Sequence, residues 1–199
     1  MTTPTNANTP AGAATWATHD KSGWGPGPWQ AEPDKVHWTD PDTTLDCLAV
    51  RNRFGAWCGY VGVPPGHPWH GRDYDDVPAD VHYGLTYAAT CQEGAAEGEG
   101  ICHVPAPGRP VDVWWLGFDC AHAFDYSPAL DALRQRATAG PALFDPDTAA
   151  ALDRMGARTV YRDLGYVVAE CTHLAAQAAQ ALPAPAATRW GWLRRLVRR

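Results

Sequence analysis

The segment LDCLAVRNRFGAWCGYVGV, residues 45–63, reads as two β-strands around a turn near Arg53-Phe54-Gly55. In the second of these strands Trp57, Gly59, Val61 and Val63 fall on one face and Cys58 and Tyr60 on the other, the period of two that a strand imposes. Toward the C-terminus, PPGHPWHGRDYDDVPAD (64–80) is too polar and too rich in proline for regular structure. VHYGLTYAATC (81–91) alternates Val81, Tyr83, Leu85, Tyr87 and Ala89 against His82, Gly84, Thr86 and Ala88, which predicts a third strand. After the acidic turn QEGAAEGEG (92–100), ICHVP (101–105) and VDVWWLGFDC (111–120) predict further strands. The latter places Trp114, Leu116, Phe118 and Cys120 on one face and Trp115, Gly117 and Asp119 on the other.

Beyond Pro128 the period becomes helical. SPALDALRQRA predicts a short helix over 127–138, and DPDTAAALDRMG a second over 145–156, with Asp145 as N-cap. In TVYRDLGYVVAECTHLAAQAAQAL (159–182), Tyr161, Leu164, Val168, Cys171, Ala175, Ala178 and Leu182 recur at three- or four-residue steps and make one apolar stripe. Strands first and helices later predict an α+β fold: a small antiparallel sheet with a long C-terminal helix packed on one face.

Residues 1–43 lack apolar periodicity and read as an extended, flexible Pro/Gly/Trp arm, its second half docked on the domain or on a partner. The α+β domain then covers 44–182, and 183–199 form a linker and a basic amphipathic tail. Leu, Ile, Val and Phe supply only 31 of 199 residues, so the ten Trp and seven Tyr must carry much of the burial. With 19 Gly and 18 Pro, the composition excludes a coiled coil, a helical bundle and an integral membrane protein. Net charge is −6, divided between an acidic body and a tail with five Arg and no acid. That body is unsuited to duplex nucleic acid, whereas the tail suits a membrane surface or phosphate. With neither a signal peptide nor an apolar run, the expectation is a cytoplasmic protein whose six cysteines are reduced thiols, a disulfide framework being the alternative if the chain is exported.

The densest polar constellation is Asp119-Cys120-Ala121-His122-Ala123-Phe124-Asp125, at the end of the apolar strand VWWLGF. Two carboxylates and an imidazole within seven residues suit either a divalent metal or a general acid/base pair. Asp119, His122 and Asp125 are therefore the candidate catalytic residues, and His122, Asp119 and His82 the candidate ligands of a Zn or Mn ion; no other cofactor is expected. The loop His67-Pro68-Trp69-His70 holds two imidazoles on a proline-stiffened frame. Together with His82, Trp57, Tyr60 and Trp115, the residues His67, Trp69 and His70 are candidates for binding a small ligand, the aromatic rings serving either as stacking surfaces or as core.

The blocks AWCGYVGVPPGHPWHG (56–71), VHYGLT (81–86), WWLGFDCAH (114–122) and YRDLGYVVAE (161–170) resemble a group of uncharacterised proteins of tailed bacteriophages and of actinobacterial genomes that carry phage elements. The resemblance covers about residues 45–182 and implies phage context and a bacterial cytoplasm, with no assigned activity. The expectation is a phage-type accessory protein whose His/Asp site binds a metal ion or small polar ligand. As an enzyme it would be a metal-assisted hydrolase, the ion lowering the pKa of a bound water toward about 7. The rival expectations are a non-enzymatic binder of a nucleotide-like ligand or host protein, in counter-defence or host takeover, and a virion or scaffold component.

Overall fold

A computed structural model of the chain describes residues 7–92, 96–103, 112–138, 148 and 158–182. It is an α+β structure built on a six-stranded antiparallel sheet. The strands are β1 (Ala14–Trp16), β2 (Lys35–Thr39), β3 (Asp46–Arg51), β4 (Trp57–Val63), β5 (Tyr87–Thr90) and β6 (Trp114–Asp119). Their order is β1-β2-β3-β4-β6-β5, and every neighbouring pair is antiparallel. Helix α1 (Pro128–Thr138) follows the sheet, and helix α2 (Leu164–Ala181) lies across one of its faces.

The alternation in β4 and β6 sorts the core into two layers. Val36, Trp38, Cys47, Ala49, Trp57, Val61, Val63, Leu116 and Phe118 pack with Leu164, Val167, Cys171, Leu174, Ala175 and Ala178 of α2. On the opposite face Leu48, Cys58, Tyr60, Val113 and Trp115 pack with Ile101. The helix comes close because Gly59 has no side chain: a Cβ there would lie 2.4 Å from the Phe118 ring and 2.7 Å from Cys171 Sγ. The buried stripe of α2 is rotated slightly from the expected one, with Val167 and Leu174 fully buried and Leu182 half exposed.

Four expectations are revised. First, the sheet begins before residue 44, for β1 and β2 lie within the stretch read as a flexible arm. Polar partners explain the difference. Arg51, fully buried, donates from Nη2 to Glu32 Oε2 at 2.8 Å and from Nε to Asp34 Oδ1 at 3.2 Å. Asp34 also receives Lys21 Nζ at 2.7 Å, while Glu32 accepts the Trp57 indole N–H, the Tyr161 hydroxyl and the backbone N–H of Leu164 at the start of α2.

Second, only Tyr87–Thr90 of the segment 81–91 is strand. Residues 81–84 turn instead, with Tyr83 at φ 53° and Gly84 at φ 90°, because His82 is drawn toward α2, where its N–H donates to Glu170 Oε2 at 3.0 Å. Third, ICHVP supplies no strand where it is described, and the last strand is confined to 114–119. Fourth, Cys91 and Cys102 form a disulfide, since the turn between them returns their Cα atoms to 4.7 Å. Cys47, Cys58, Cys120 and Cys171 are free and buried. The expected helix at 145–156 lies, but for Thr148, outside the described residues, as does the tail 183–199.

Candidate functional site

The end of β6 delivers Asp119 to the edge of the sheet, and residues 121–125 then fold back on it. Asp125 meets Val160 in a parallel bridge, which carries Arg162 and the start of α2 to the same place. The Asp125 carboxylate is buried and fully engaged. Oδ2 accepts from His82 Nε2 at 2.8 Å and from the His122 N–H at 3.1 Å, and Oδ1 accepts from Arg162 Nε at 3.0 Å. Burial works to raise its pKa, but these hydrogen bonds and charges outweigh that and hold the group below the usual carboxylate range.

His82 is equally committed. Nε2 lies 2.8 Å from Asp125 Oδ2 and Nδ1 lies 2.9 Å from the Tyr166 hydroxyl. Burial, followed by the nearby Glu170 carboxylate, raises the Tyr166 pKa, so the phenol keeps its proton. Arg162 lies 4.9 Å above the Tyr166 ring. Asp125, His82, Tyr166 and Arg162 thus form a closed network that fixes the 121–125 turn against α2.

His122 differs from all of these. Its Nε2 is buried and has no hydrogen-bond partner. The nearest acid is Asp119, with Oδ1 3.9 Å away. Asp119 itself is held by the Thr86 hydroxyl at 2.9 Å and the Ala121 N–H at 3.0 Å. The His122 ring sits 4.6 Å from that of Tyr83 and 5.6 Å from that of His82, centroid to centroid. Tyr83 is 62% exposed although its backbone lies in the left-handed region, a conformation that costs a non-glycine residue about 1–3 kcal/mol and that concentrates at functional positions. A cleft of about 160 Å³ opens beside His122 and Asp125 and is closed from the other side by α1 through Leu130 and Asp131.

No family model, curated protein or solved structure matches the chain.

Of the residues singled out in the sequence, Asp119, His122, Asp125 and His82 come together here. His67 and His70 do not. His67 bonds the Ala178 carbonyl through Nε2 at 2.9 Å, and the twelve helical steps of α2 from Tyr166 to Ala178 span about 18 Å. His70 packs on Trp114, at the opposite end of β6 from Asp119, about 16 Å along the strand. Trp57, Tyr60, Trp69 and Trp115 are core residues, each at most 7% exposed, and present no face to a ligand. The Cys120 thiol, two residues from His122, is pushed well up by burial and stays protonated.

The expected metal set is also short of donors. His82 has both ring nitrogens occupied, so only His122 and Asp119 remain, one fewer than the three protein ligands of a catalytic zinc site. Among the described residues three metal-type donors converge elsewhere, at Cys91, Cys102 and His103. Tyr83, among the aromatic residues able to stack on a flat ligand, and Thr86, in a polar strip with His82, were legible in the sequence; Arg162, Tyr166 and Glu170 were not anticipated. For Tyr166 and Glu170 the signal was their four-residue spacing, which sets two polar groups side by side on the helix.

Proposed function

We propose that this chain is a phage-type accessory protein of the bacterial cytoplasm that binds a small polar ligand, without metal, through His122 and Asp119, with Tyr83 as a stacking surface. The observation that carries this reading is the buried, unpartnered His122 Nε2 beside an exposed tyrosine in a left-handed backbone conformation. A buried polar atom without a partner costs about 1–3 kcal/mol, and a ligand that supplies the partner recovers it. His122 and Asp119 present a donor–acceptor pair, and the Tyr83 ring suits a planar group such as a nucleobase. Three of the four blocks that carry the resemblance to the phage group supply this site: VHYGLT gives His82, Tyr83 and Thr86, WWLGFDCAH gives Asp119 and His122, and YRDLGYVVAE gives Arg162, Tyr166 and Glu170.

The test is thermal denaturation of the full chain with nucleoside monophosphates, and separately with Zn²⁺ and Mn²⁺. A nucleotide at a hundredfold excess over its Kd stabilises by about 2.7 kcal/mol, a Tm rise of roughly 5–10 °C for a chain of this size. We expect that rise with at least one nucleotide and its loss in His122→Ala and Tyr83→Ala. No rise with any nucleotide, or a metal-induced rise abolished by His122→Ala, overturns the reading.

A further inference from the structure

On the far side of the sheet from α2, Cys91 and Cys102 meet at the neck of the turn that follows β5, where the Gln92 N–H also donates to the Ile101 carbonyl. His103 is the next residue and is buried. One donor atom from each of Cys91, Cys102 and His103 lies within 4.8 Å of the other two. We propose that the reduced chain binds a zinc ion through Cys91 Sγ, Cys102 Sγ and His103 Nδ1, with a water molecule in the fourth position. The site is separate from His122 and does not depend on the function proposed above.

Three observations carry it. The donor set is the first, since two thiolates and an imidazole are the ligands zinc prefers over carboxylate. The second is spacing. Zn–N and Zn–S bonds of about 2.05 and 2.3 Å at a tetrahedral angle separate the two donors by about 3.6 Å, and His103 Nδ1 stands 3.8 Å from Cys91 Sγ. The third is the surrounding shell. The Trp115 indole N–H donates to Cys91 Sγ at 3.4 Å. Metal-bound thiolates need such a partner, whereas a neutral disulfide sulfur is a weak acceptor. Lys35, also buried, donates from Nζ to the carbonyls of Glu97, Gly100 and Cys102, so a positive charge is fixed on the backbone of one ligand. Nearby cationic charge favours thiolate over thiol. The His37 ring, held by Asp46 at 3.2 Å, borders the cluster 6.4 Å from the His103 ring.

A two-electron reduction, by a thiol or a phosphine, first opens the Cys91–Cys102 disulfide to two thiols; metal binding then involves no electron transfer. Zn²⁺ replaces the two thiol protons, which pass to solvent, and accepts a lone pair from neutral His103. The disulfide has no thiolate to offer, so zinc and the disulfide exclude one another. The sequence shows none of this because C-x₁₀-C-H matches no named zinc spacing.

The test uses the full chain reduced with a phosphine, loaded with zinc chloride and freed of unbound metal. We expect about one zinc per chain in the wild type and in His122→Ala, none in Cys91→Ser or Cys102→Ser, and affinity lowered at least tenfold in His103→Ala against a chromophoric chelator. Cobalt(II) loading is expected to give a thiolate charge-transfer band in the wild type and in His122→Ala, and none in Cys91→Ser or Cys102→Ser. In case the cysteine variants fail to fold, alkylation of the wild type followed by mass mapping gives an independent answer, with zinc expected to protect Cys91 and Cys102. Failure of the reduced wild type to retain zinc, retention in the cysteine variants, or alkylation of Cys91 and Cys102 unchanged by zinc overturns the assignment.

Discussion

Asp125 shows how one residue read as catalytic acts as a positioning group. Its carboxylate receives an imidazole, a guanidinium and a backbone amide, which leaves little capacity for substrate. Asp34 is similar: burial raises its pKa, but the amides of His19 and Thr18 and the Lys21 ammonium bring it below the usual range. An unfolded aspartate titrates near 3.9. Both groups therefore contribute stability that is fully present above about pH 4 and is lost as pH falls through their lower folded values. We expect the unfolding free energy of the wild type to decline steeply below pH 4. Asp125→Asn is expected to unfold about 2 kcal/mol more easily at pH 7, a hydrogen bond to a charged group being worth about 1.5–3 kcal/mol. It is also expected to show a shallower acid decline. Denaturant titration at a series of pH values measures both.

At the scale of elements, the contact between α2 and β4 rests on Gly59. Gly59→Ala forces a methyl group into Phe118 and Cys171, and overpacking of this kind costs about 1–3 kcal/mol; a melt of the variant measures the loss. The strands at 57–63 and 114–119 and the long helix were legible because their side chains bury on one face and so print a period of two or of 3.6 on the chain. The segment 81–86 alternates as well as a strand does, yet it turns, because Glu170 and Tyr166 capture His82 from more than 80 residues away. No local pattern contains that information. β2 was missed for another reason: KVHWT is short, and only Val36 and Trp38 mark its buried face. The site was legible in part. Asp119, His122 and Asp125 are near neighbours in the chain, while Arg162, the partner of Asp125, and Tyr166, the partner of His82, lie just before and at the start of α2, in a stretch that the apolar stripe presents as purely structural.

For the whole molecule, the buried Arg51 network joins the segment before residue 44 to the rest. Removing one partner of a buried ion pair costs about 3–5 kcal/mol because the other charge is left uncompensated. Arg51→Met strands Glu32 and Asp34 together, and the expected loss falls in that range. Deletion of residues 1–33 removes Glu32 from Arg51 and from the start of α2, so a truncated chain is expected to lose its cooperative melt; a freely flexible arm would leave the melt unchanged. The same network has a consequence for synthesis. Glu32 accepts the Leu164 N–H across 132 residues, and ribosomes add about 5–20 residues per second. The first part of the chain to emerge must wait roughly 7–26 s for the helix terminus that completes its carboxylate shell. Until β6 is made, the Trp-bearing segment and the open edge of β4 are exposed together, so the nascent chain is a predicted client for chaperones that recognise aromatic residues and unpaired strands.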